Sequence, residues 1–381
     1  MFDFYSEAKT AQNVIETKYL SFTCSCVRFF TNPAVEDCSI VVTGSWMDEI
    51  NRISLWQYDI GFKIDERNLE PRSECEDGTC IGVLGDNKDE PRLISSLTHD
   101  GDVLGLLVSH EKELVFSSSS NGSVNIYNVD NFSLKRALNK PFLPNPKDNA
   151  SIGCLSVSKD VQNLFMGDDL GNLYQGKIEN LHSTQRIGKT ISGINAIQNL
   201  DSTTIACVTQ SGVLYVYDIR EKGTKATRYK TFRPNSCSPL LCIAQHPGYP
   251  YLLAVGGYSD ANVPAYIWDL RDDSSLPTPP LAELVIPGSA VWDIKFNPIQ
   301  PNQLFVGTHD EGLMCISPEG QASDGIVWCN MHSKRPRLGI SSGLQNFKVR
   351  NCHSFDMSNS KLVSVSDHGL MISSNQNCSI Y

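Results

Sequence analysis

One short pattern recurs along this chain: a β-favouring run, a turn of small residues, and a second β-favouring run. Five copies are clear, at residues 113–129, 164–178, 204–220, 304–317 and 361–373, and two looser copies lie at 39–59 and 251–271. The second runs follow one another at intervals of about 40 to 70 residues, with no helical period between them. Hairpins repeated at this spacing are typical of a β-propeller, in which four-stranded sheets surround a central channel.

Each hairpin is interpreted as the second and third strands (b and c) of a blade. The turns carry Gly with Asn, Asp or Ser, which tolerate the positive φ of tight hairpins. A further apolar run precedes each hairpin and predicts strand a, at 24–29, 103–108, 152–157, 194–197, 240–244, 291–296 and 352–357. The sequence therefore predicts an all-β, seven-bladed propeller.

The seventh unit stops soon after its strand c, so its blade lacks an outer strand. Residues 13–22 have strand character, and we expect them to supply strand d of blade 7 and close the ring, which removes an exposed edge. The whole chain, 1–381, is then a single propeller domain. It carries insertions at about 62–92 and 318–350; residues 325–329 are expected to form strand d of blade 6, and residues 276–287 a proline-stiffened connector.

Composition argues against several functional classes. The net charge is −10, which disfavours a broad surface for nucleic acid or anionic membranes. No apolar run is long enough to span a membrane, and the first residues do not resemble a signal peptide. The 13 cysteines are scattered, many within predicted strands, and are expected to be free core thiols. Cys24 and Cys26 form a C-x-C with no second ligand pair, so no zinc site is expected.

No constellation for catalysis is found. The sequence has no G-x-S-x-G elbow between a strand and a helix, no H-E-x-x-H, no P-loop and no G-x-G-x-x-G. We therefore expect a protein without enzymatic activity and without a cofactor.

Motifs at the ends of strand c indicate the WD-repeat class of propeller. Residues 268–271 read Trp-Asp-Leu-Arg, and residues 217–220 read Tyr-Asp-Ile-Arg. His99 occupies the position of the structural histidine that precedes strand a in such repeats. Its expected partners include Asn121 and Tyr127 rather than Asp and Trp, so the usual hydrogen-bond tetrad is incomplete.

Three features are candidates for partner contact. Trp292 lies at the start of a predicted strand a, at the mouth of the channel, and Trp46 lies where a strand b ends; each either anchors a partner or packs between blades. The second insertion contains Lys334, Arg335 and Arg337 in a stretch without acidic residues, which either contacts a partner or is a solvated loop.

One stretch is more specific than the fold. Residues 43–56, TGSWMDEINRISLW, resemble the first-blade signature of the 43-kilodalton WD-repeat nucleoporin family of the nuclear pore's outer-ring, Y-shaped scaffold complex. Further similar segments follow in the same order, at 99–103, 217–220, 268–271 and 291–298. Two features depart from the family pattern: the insertion at 62–92 is longer than expected, and blade 3 matches only as a generic blade.

The resemblance implies a non-enzymatic scaffold subunit at the nuclear envelope. It further implies docking beside an α-solenoid subunit of the Y-shaped complex, roles in mRNA and protein transport, and a mitotic pool at kinetochores. Neither direct nucleic-acid binding nor membrane insertion is implied.

Two alternatives remain open. Trp268, Asp269 and Arg271 form a W-D-x-R motif, which also occurs in propellers that serve as substrate receptors of cullin-based ubiquitin ligases. A histone-peptide reader is the other alternative; it would need an aromatic cage beside an acid at the channel mouth, for which Trp292 is the one good candidate.

Overall fold

The fold is described from a computed structural model. It describes residues 15–30, 39–58, 91–138, 140–220, 228–231, 238–260, 262–271, 280–318, 338–341, 351–358, 361–366 and 370–375. The basic candidates Lys334, Arg335 and Arg337, and all but the last two residues of the 62–92 insertion, lie outside this part of the chain.

Twenty-eight strands are described, and they are grouped here by blade. Blade 1 contains β2 (Cys24–Phe30), β3 (Ser39–Ser45), β4 (Asn51–Tyr58) and β5 (Arg92–His99). Blade 2 contains β6 (Val103–Ser109), β7 (Leu114–Ser119), β8 (Val124–Asp130) and β9 (Ser133–Arg136). Blade 3 contains β10 (Ile152–Val157), β11 (Asn163–Asp168), β12 (Asn172–Lys177) and β13 (Asn180–Lys189). Blade 4 contains β14 (Ile194–Asn199), β15 (Thr204–Thr209), β16 (Val213–Asp218) and β17 (Arg228–Thr231).

The remaining strands form three further sheets. Blade 5 contains β18 (Leu240–Gln245), β19 (Leu252–Gly257), β20 (Asn262–Asp269) and β21 (Ala282–Pro287). Blade 6 contains β22 (Val291–Phe296), β23 (Leu304–Thr308), β24 (Gly312–Pro318) and β25 (Leu338–Ser341). Blade 7 contains β26 (Cys352–Ser358), β27 (Lys361–Ser366), β28 (Leu370–Asn375) and, as its outer strand, β1 (Ile15–Tyr19).

Each sheet is antiparallel and follows chain order, except that β1 joins the sheet of the last three strands. The first strands of neighbouring blades contact one another all the way round, and β26 contacts β2. The predicted all-β propeller is confirmed. In the described part of the chain, no helix is long and apolar enough to cross a membrane.

The hydrophobic core is divided among the junctions between blades. Seven clusters of buried side chains are described, and each contains residues from two neighbouring sheets. The cluster between blades 7 and 1 joins Leu20, Val27 and Trp56 to Val363 and Val365. Each blade thus buries both faces against its neighbours, so a missing junction would expose apolar surface on two sheets.

Strand β1 is the outer strand of the sheet that contains β26, β27 and β28. Ile15 pairs with Ser374 and Tyr19 with Leu370, so β1 runs antiparallel to β28 for its full length. The hydrogen-bonding edge of β28 is therefore covered by the opposite end of the chain.

Glycines in the b–c turns permit close approach between blades. Gly122, Gly171 and Gly212 have φ of 83°, 84° and 75°, which side-chain-bearing residues rarely adopt. A Cβ at each position would lie 2.5 Å from a carbonyl oxygen of the loop that leads to the next blade: Ala150, Ser192 and Ser238 respectively. The repeated glycine is therefore required by φ and by space at the same time.

Two predictions about outer strands were wrong. The outer strand of blade 6 is β25, Leu338–Ser341, and not residues 325–329, which lie outside the described residues. Loop-closure entropy rises slowly with loop length, so the nearest apolar run need not be the one that pairs. Part of the predicted connector, Ala282–Pro287, forms β21, the outer strand of blade 5. The one proline of β21, Pro287, is its last residue, and it is tolerated because an outer strand leaves one edge unpaired.

Candidate functional site

Every first strand carries a bulge at its second residue. In β22, Val291 lies opposite Thr308 and Asp293 lies opposite Gly307. Trp292, between them, has no residue opposite it in β23. The same skip occurs in the other six blades, at Ser25, Leu104, Gly153, Asn195, Leu241 and His353. A bulge redirects its side chain away from the face it would otherwise occupy. All seven residues line a cavity of about 560 Å³ at the centre of the ring, and we call them the bulge ring.

Two members of the bulge ring, and the cysteines that follow the bulge in three blades, secure the channel wall to the next blade. Ser25 Oγ donates to Val103 O at 2.6 Å, and Asn195 Nδ2 donates to Leu240 O at 2.7 Å. The residue after the bulge is cysteine in blades 1, 3 and 5, and its thiol contacts a carbonyl of the next blade; Cys242 Sγ lies 3.4 Å from Val291 O. A small side chain is needed here because neighbouring first strands pack closely. This explains several of the cysteines within strands.

The aromatic side chains of the mouth lie together on blades 6, 7 and 1. The ring centroids of Trp46 and His353 are 5.3 Å apart, in an edge-on arrangement, and those of Trp292 and His353 are 5.1 Å apart. His309 follows, with its ring centroid 6.3 Å from that of Trp292. We call Trp46, His353, Trp292 and His309 the aromatic row. The structure thus brings together the two tryptophans that the sequence proposed separately.

The loop after β3 fixes the position of Trp46. Its backbone N–H donates to Thr23 O at 3.3 Å, and the Thr23 hydroxyl donates to Trp46 O. The next residue, Met47, has φ of 58° and donates its N–H to Asp102 Oδ1 at 2.8 Å. Trp46 is therefore held by the loop that precedes blade 1, while its neighbour is held by blade 2.

Below the aromatic row, charged side chains join blades 6, 7 and 1. Lys295 Nζ lies 2.7 Å from Asp356 Oδ1, and Arg28 Nη1 lies 3.6 Å from Asp293 Oδ2. Arg28 also donates to Ser354 Oγ at 2.8 Å. We call Arg28, Asp293, Lys295 and Asp356 the charge cluster. Two cations balance two anions, so the cluster adds no net charge to the channel.

Electrostatics favour the ionised forms within the charge cluster. Burial alone would lower the pKa of Arg28 and raise the pKa of Asp356. The opposite charges reverse both effects: Asp293 and Asp356 raise the pKa of Arg28, and Lys295 with Arg28 lowers the pKa of Asp356. The backbone N–H of Phe29 also donates to Asp356 Oδ2 at 2.8 Å. These pairs stabilise the junction at which the ring closes.

The described side chains of the mouth offer aromatic faces and charges that are already paired. Within the described residues, no group of three or more His, Cys, Asp and Glu side chains could hold a metal ion.

The W-D-x-R motif lies at the opposite end of its blade. Trp268 is buried between blades 4 and 5. The Arg271 side chain donates to both carboxylate oxygens of Asp269, from Nη2 at 2.6 Å and from Nε at 3.1 Å. Its guanidinium lies 3.6 Å from the centroid of the Tyr251 ring. Asp218 and Arg220 repeat the same pairing in blade 4. The motif therefore shapes the end of strand c in two blades.

His99 is the last residue of β5 and not a loop residue. Its Nδ1 lies 2.9 Å from Gly101 O, and its Nε2 lies 3.0 Å from Ser117 Oγ and 3.3 Å from Asn125 Nδ2. Gly101 O can only accept, so Nδ1 carries the proton and Nε2 accepts from Asn125. Burial lowers the pKa of His99, and its role is structural.

His353 and the bulges were missed from the sequence, although a signal exists. In β22 the buried apolar residues are Val291, Ile294 and Phe296, a gap of three followed by a gap of two. β14 has the same pattern at Ile194 and Ile197. When the first two apolar residues of a strand are three positions apart and the next follows two positions later, the pattern indicates a bulge at the second residue of the strand. The second residue is Trp292 in blade 6 and His353 in blade 7.

Comparisons with known proteins agree with the fold and add a relationship. No family model matches the chain. It is 25% identical over 309 residues to "Nucleoporin Nup43" of Mus musculus and 26% identical over 310 residues to that of Homo sapiens, covering 78% of this chain and 74% of each relative. The chain is thus a distant homologue of nucleoporin Nup43, which confirms the resemblance found in the sequence.

Solved structures match through the fold. A chain in a structure of "COPII on membranes, outer coat vertex" aligns with a TM-score of 0.65 at 15% identity, covering 93% of this chain and 84% of that chain. A chain in "The structure of the COPII coat assembled on membranes" aligns with the same score and identity but is covered over 47% of its length. At this identity the likeness shows a shared propeller fold alone.

Proposed function

We propose that this protein is a non-enzymatic scaffold subunit of the nuclear pore, within the Y-shaped outer-ring complex. The distant homology to nucleoporin Nup43 over 78% of the chain carries the proposal. On this proposal the whole chain is one seven-bladed propeller domain, closed by its N-terminal strand, and it docks against an α-solenoid subunit at the nuclear envelope. It supports mRNA and protein transport and has a mitotic pool at kinetochores.

The fold supports a scaffold role physically. A ring whose seven junctions are each packed by a buried cluster offers two faces and a rim without needing a ligand to order them. Such a surface loses little conformational entropy on binding. The segments that resemble the nucleoporin family, 43–56 and 291–298, supply Trp46 and Trp292 of the aromatic row.

The partner-binding residues proposed are Trp46, Trp292, Lys334, Arg335 and Arg337. A true anchor truncated to alanine should weaken binding by about 2 kcal/mol with folding retained. Neutralising the three basic residues should instead reduce the salt dependence of association, because loop charges mainly steer encounter.

The test is affinity purification of the tagged, full-length protein, with imaging of its location. Stoichiometric recovery of pore scaffold subunits together with fluorescence at the nuclear rim would support the proposal. Absence from the rim would overturn it. Recovery of a cullin-ligase adaptor or of histones in place of pore subunits would select one of the two alternatives.

A further inference from the structure

Exposed apolar side chains concentrate on one face of the ring. First strands begin, and second strands end, at the same edge of every sheet, so the b–c turns and the loops between blades share one face with the aromatic row. We call it the mouth face. Among the described residues, six large apolar side chains are exposed there: Met47, Ile50, Leu143, Leu170, Ile191 and Tyr258. Val285 lies on an outer strand, and Ile299 lies on the opposite face.

The degree of exposure on the mouth face is unusual for apolar side chains. Ile191 is 80% exposed and Met47 is 77% exposed. Neither position is required to be apolar by the turn that contains it, and exposed apolar groups reduce solubility. Their presence on one face, in loops from different blades, indicates a surface that is covered in use.

The same loops are acidic. The exposed carboxylates in their described part are Glu49, Asp100, Asp148, Asp169, Asp260, Asp310 and Glu311, against the exposed Lys140 and Lys147. On the opposite face, the described a–b and c–d loops are nearly balanced. Five exposed acids there, Glu111, Glu113, Asp160, Glu179 and Asp201, accompany four exposed bases, Lys112, Lys159, Arg220 and Arg271. Among the described residues, negative charge is therefore more concentrated on the mouth face, which repels nucleic acid and anionic membranes and attracts cations.

We propose that the mouth face binds a segment of a partner protein that combines Lys or Arg side chains with a few apolar side chains. The apolar side chains cover Met47, Ile191 and their neighbours, and the cations pair with the acidic loops. The assignment of this partner to the pore scaffold rests on the function proposed above; the chemistry of the segment does not.

Synthetic peptides and matched variants of the full-length protein test this inference. The probes are one basic–apolar peptide, an acidic–apolar peptide with Glu in place of each base, and a basic peptide with Ser in place of each apolar residue. Affinity is measured by fluorescence anisotropy at several salt concentrations. We expect the basic–apolar peptide to bind at least about tenfold tighter than either of the others, with affinity falling as salt rises.

Protein variants locate the binding surface. Met47→Ser with Ile191→Ser, and Asp169→Lys with Asp260→Lys, should each weaken binding of the basic–apolar peptide by about tenfold or more. Ile299→Ser and Glu179→Lys make similar changes on the opposite face and should leave it unchanged. The inference would be overturned if variants on the two faces lost equal affinity for the basic–apolar peptide. It would also be overturned if the acidic–apolar peptide bound as tightly as the basic–apolar peptide.

A binding assay with the purified α-solenoid subunit separates the two proposals. If wild type binds the subunit and the mouth-face variants bind it equally well, the inference fails and the scaffold function stands. If wild type binds the basic–apolar peptide through the mouth face but binds no pore subunit, the scaffold function fails and the inference stands.

Discussion

The indole of Trp46 in blade 1 lies edge-on to the imidazole of His353 in blade 7, with 5.3 Å between ring centroids. This contact crosses the junction at which the ring closes. Blade 7 lies between blades 6 and 1, and Trp292 of blade 6 contacts His353 from the side opposite Trp46. The aromatic row therefore depends on correct packing of three blades at the closure. Ring closure and the candidate binding surface are therefore structurally coupled.

Removal of residues 1–22 should leave the protein aggregated or less stable by at least about 2 kcal/mol. The deletion removes β1 from the edge of β28, removes the buried Leu20, and removes Phe22, whose ring centroid lies 6.1 Å from that of Trp56. Thermal unfolding and size-exclusion chromatography measure the effect. Deleting only residues 1–14, which precede β1, is the matched control and should change neither property. A chain lacking 1–22 that stays monomeric with an unchanged Tm would disprove closure by this strand.

Asp356→Asn should destabilise the fold by about 1–3 kcal/mol at neutral pH, because it leaves Lys295 without its ion-pair partner in a largely buried site. The folded-state pKa of Asp356 is lowered, so its contribution to stability is present above the ordinary carboxyl pKa of about 3.9 and is lost as pH falls through the folded value. The difference between wild type and variant should therefore shrink below about pH 4.

Chemical denaturation at several pH values measures that difference. Asp130→Asn is the control, because Asp130 pairs with Lys135 at 2.7 Å on an exposed surface, and its loss should change the free energy of unfolding by less than about 1 kcal/mol. If Asp356→Asn and Asp130→Asn lowered the free energy of unfolding equally, a stabilising role for the charge cluster would be contradicted.

His99 should make the protein less stable in mild acid. Its pKa is lowered by burial, so as pH falls below about 6.5 the unfolded chain gains a proton that the folded protein resists. Protonation of Nε2 would place a donor against Asn125 Nδ2. His99→Gln should therefore reduce the loss of Tm on going from about pH 7 to about pH 5.

Ser117→Ala provides the control for His99, because it removes a hydrogen-bond partner while the histidine still titrates. This variant should have a lower Tm at every pH but the wild-type dependence on pH. If the Tm of His99→Gln depended on pH as the wild-type Tm does, groups other than His99 would cause the loss of stability in mild acid.

All 13 cysteines should react with a thiol reagent after denaturation without reductant. In the native protein, Cys24, Cys26, Cys154, Cys207, Cys242, Cys315 and Cys352 are free and buried and should react slowly. Burial raises the thiol pKa of Cys24, Cys154 and Cys242, which reduces the thiolate available for reaction. A count lower by two or more, restored by reduction, would show a disulfide.

The repeated hairpins predicted the propeller because the pattern is local. Strands such as Ile152–Val157 and Val291–Phe296 have the predicted bounds, since turn chemistry and alternating apolar residues act over a few positions. Outer strands were less predictable. Leu338–Ser341 is short, and its pairing with Cys315–Pro318 depends on which segment reaches the open edge of blade 6.

The aromatic row could not be derived from local pattern. The sequence determined that Trp46 follows a second strand and that Trp292 begins a first strand, which places both at the mouth. Only the tertiary structure brought His353 between them, because contact between blades 1, 6 and 7 depends on closing the ring through β1 and on the bulge that turns each second residue toward the channel. Side chains from distant parts of the chain converge there because closure leaves them one shared space, which no single blade specifies.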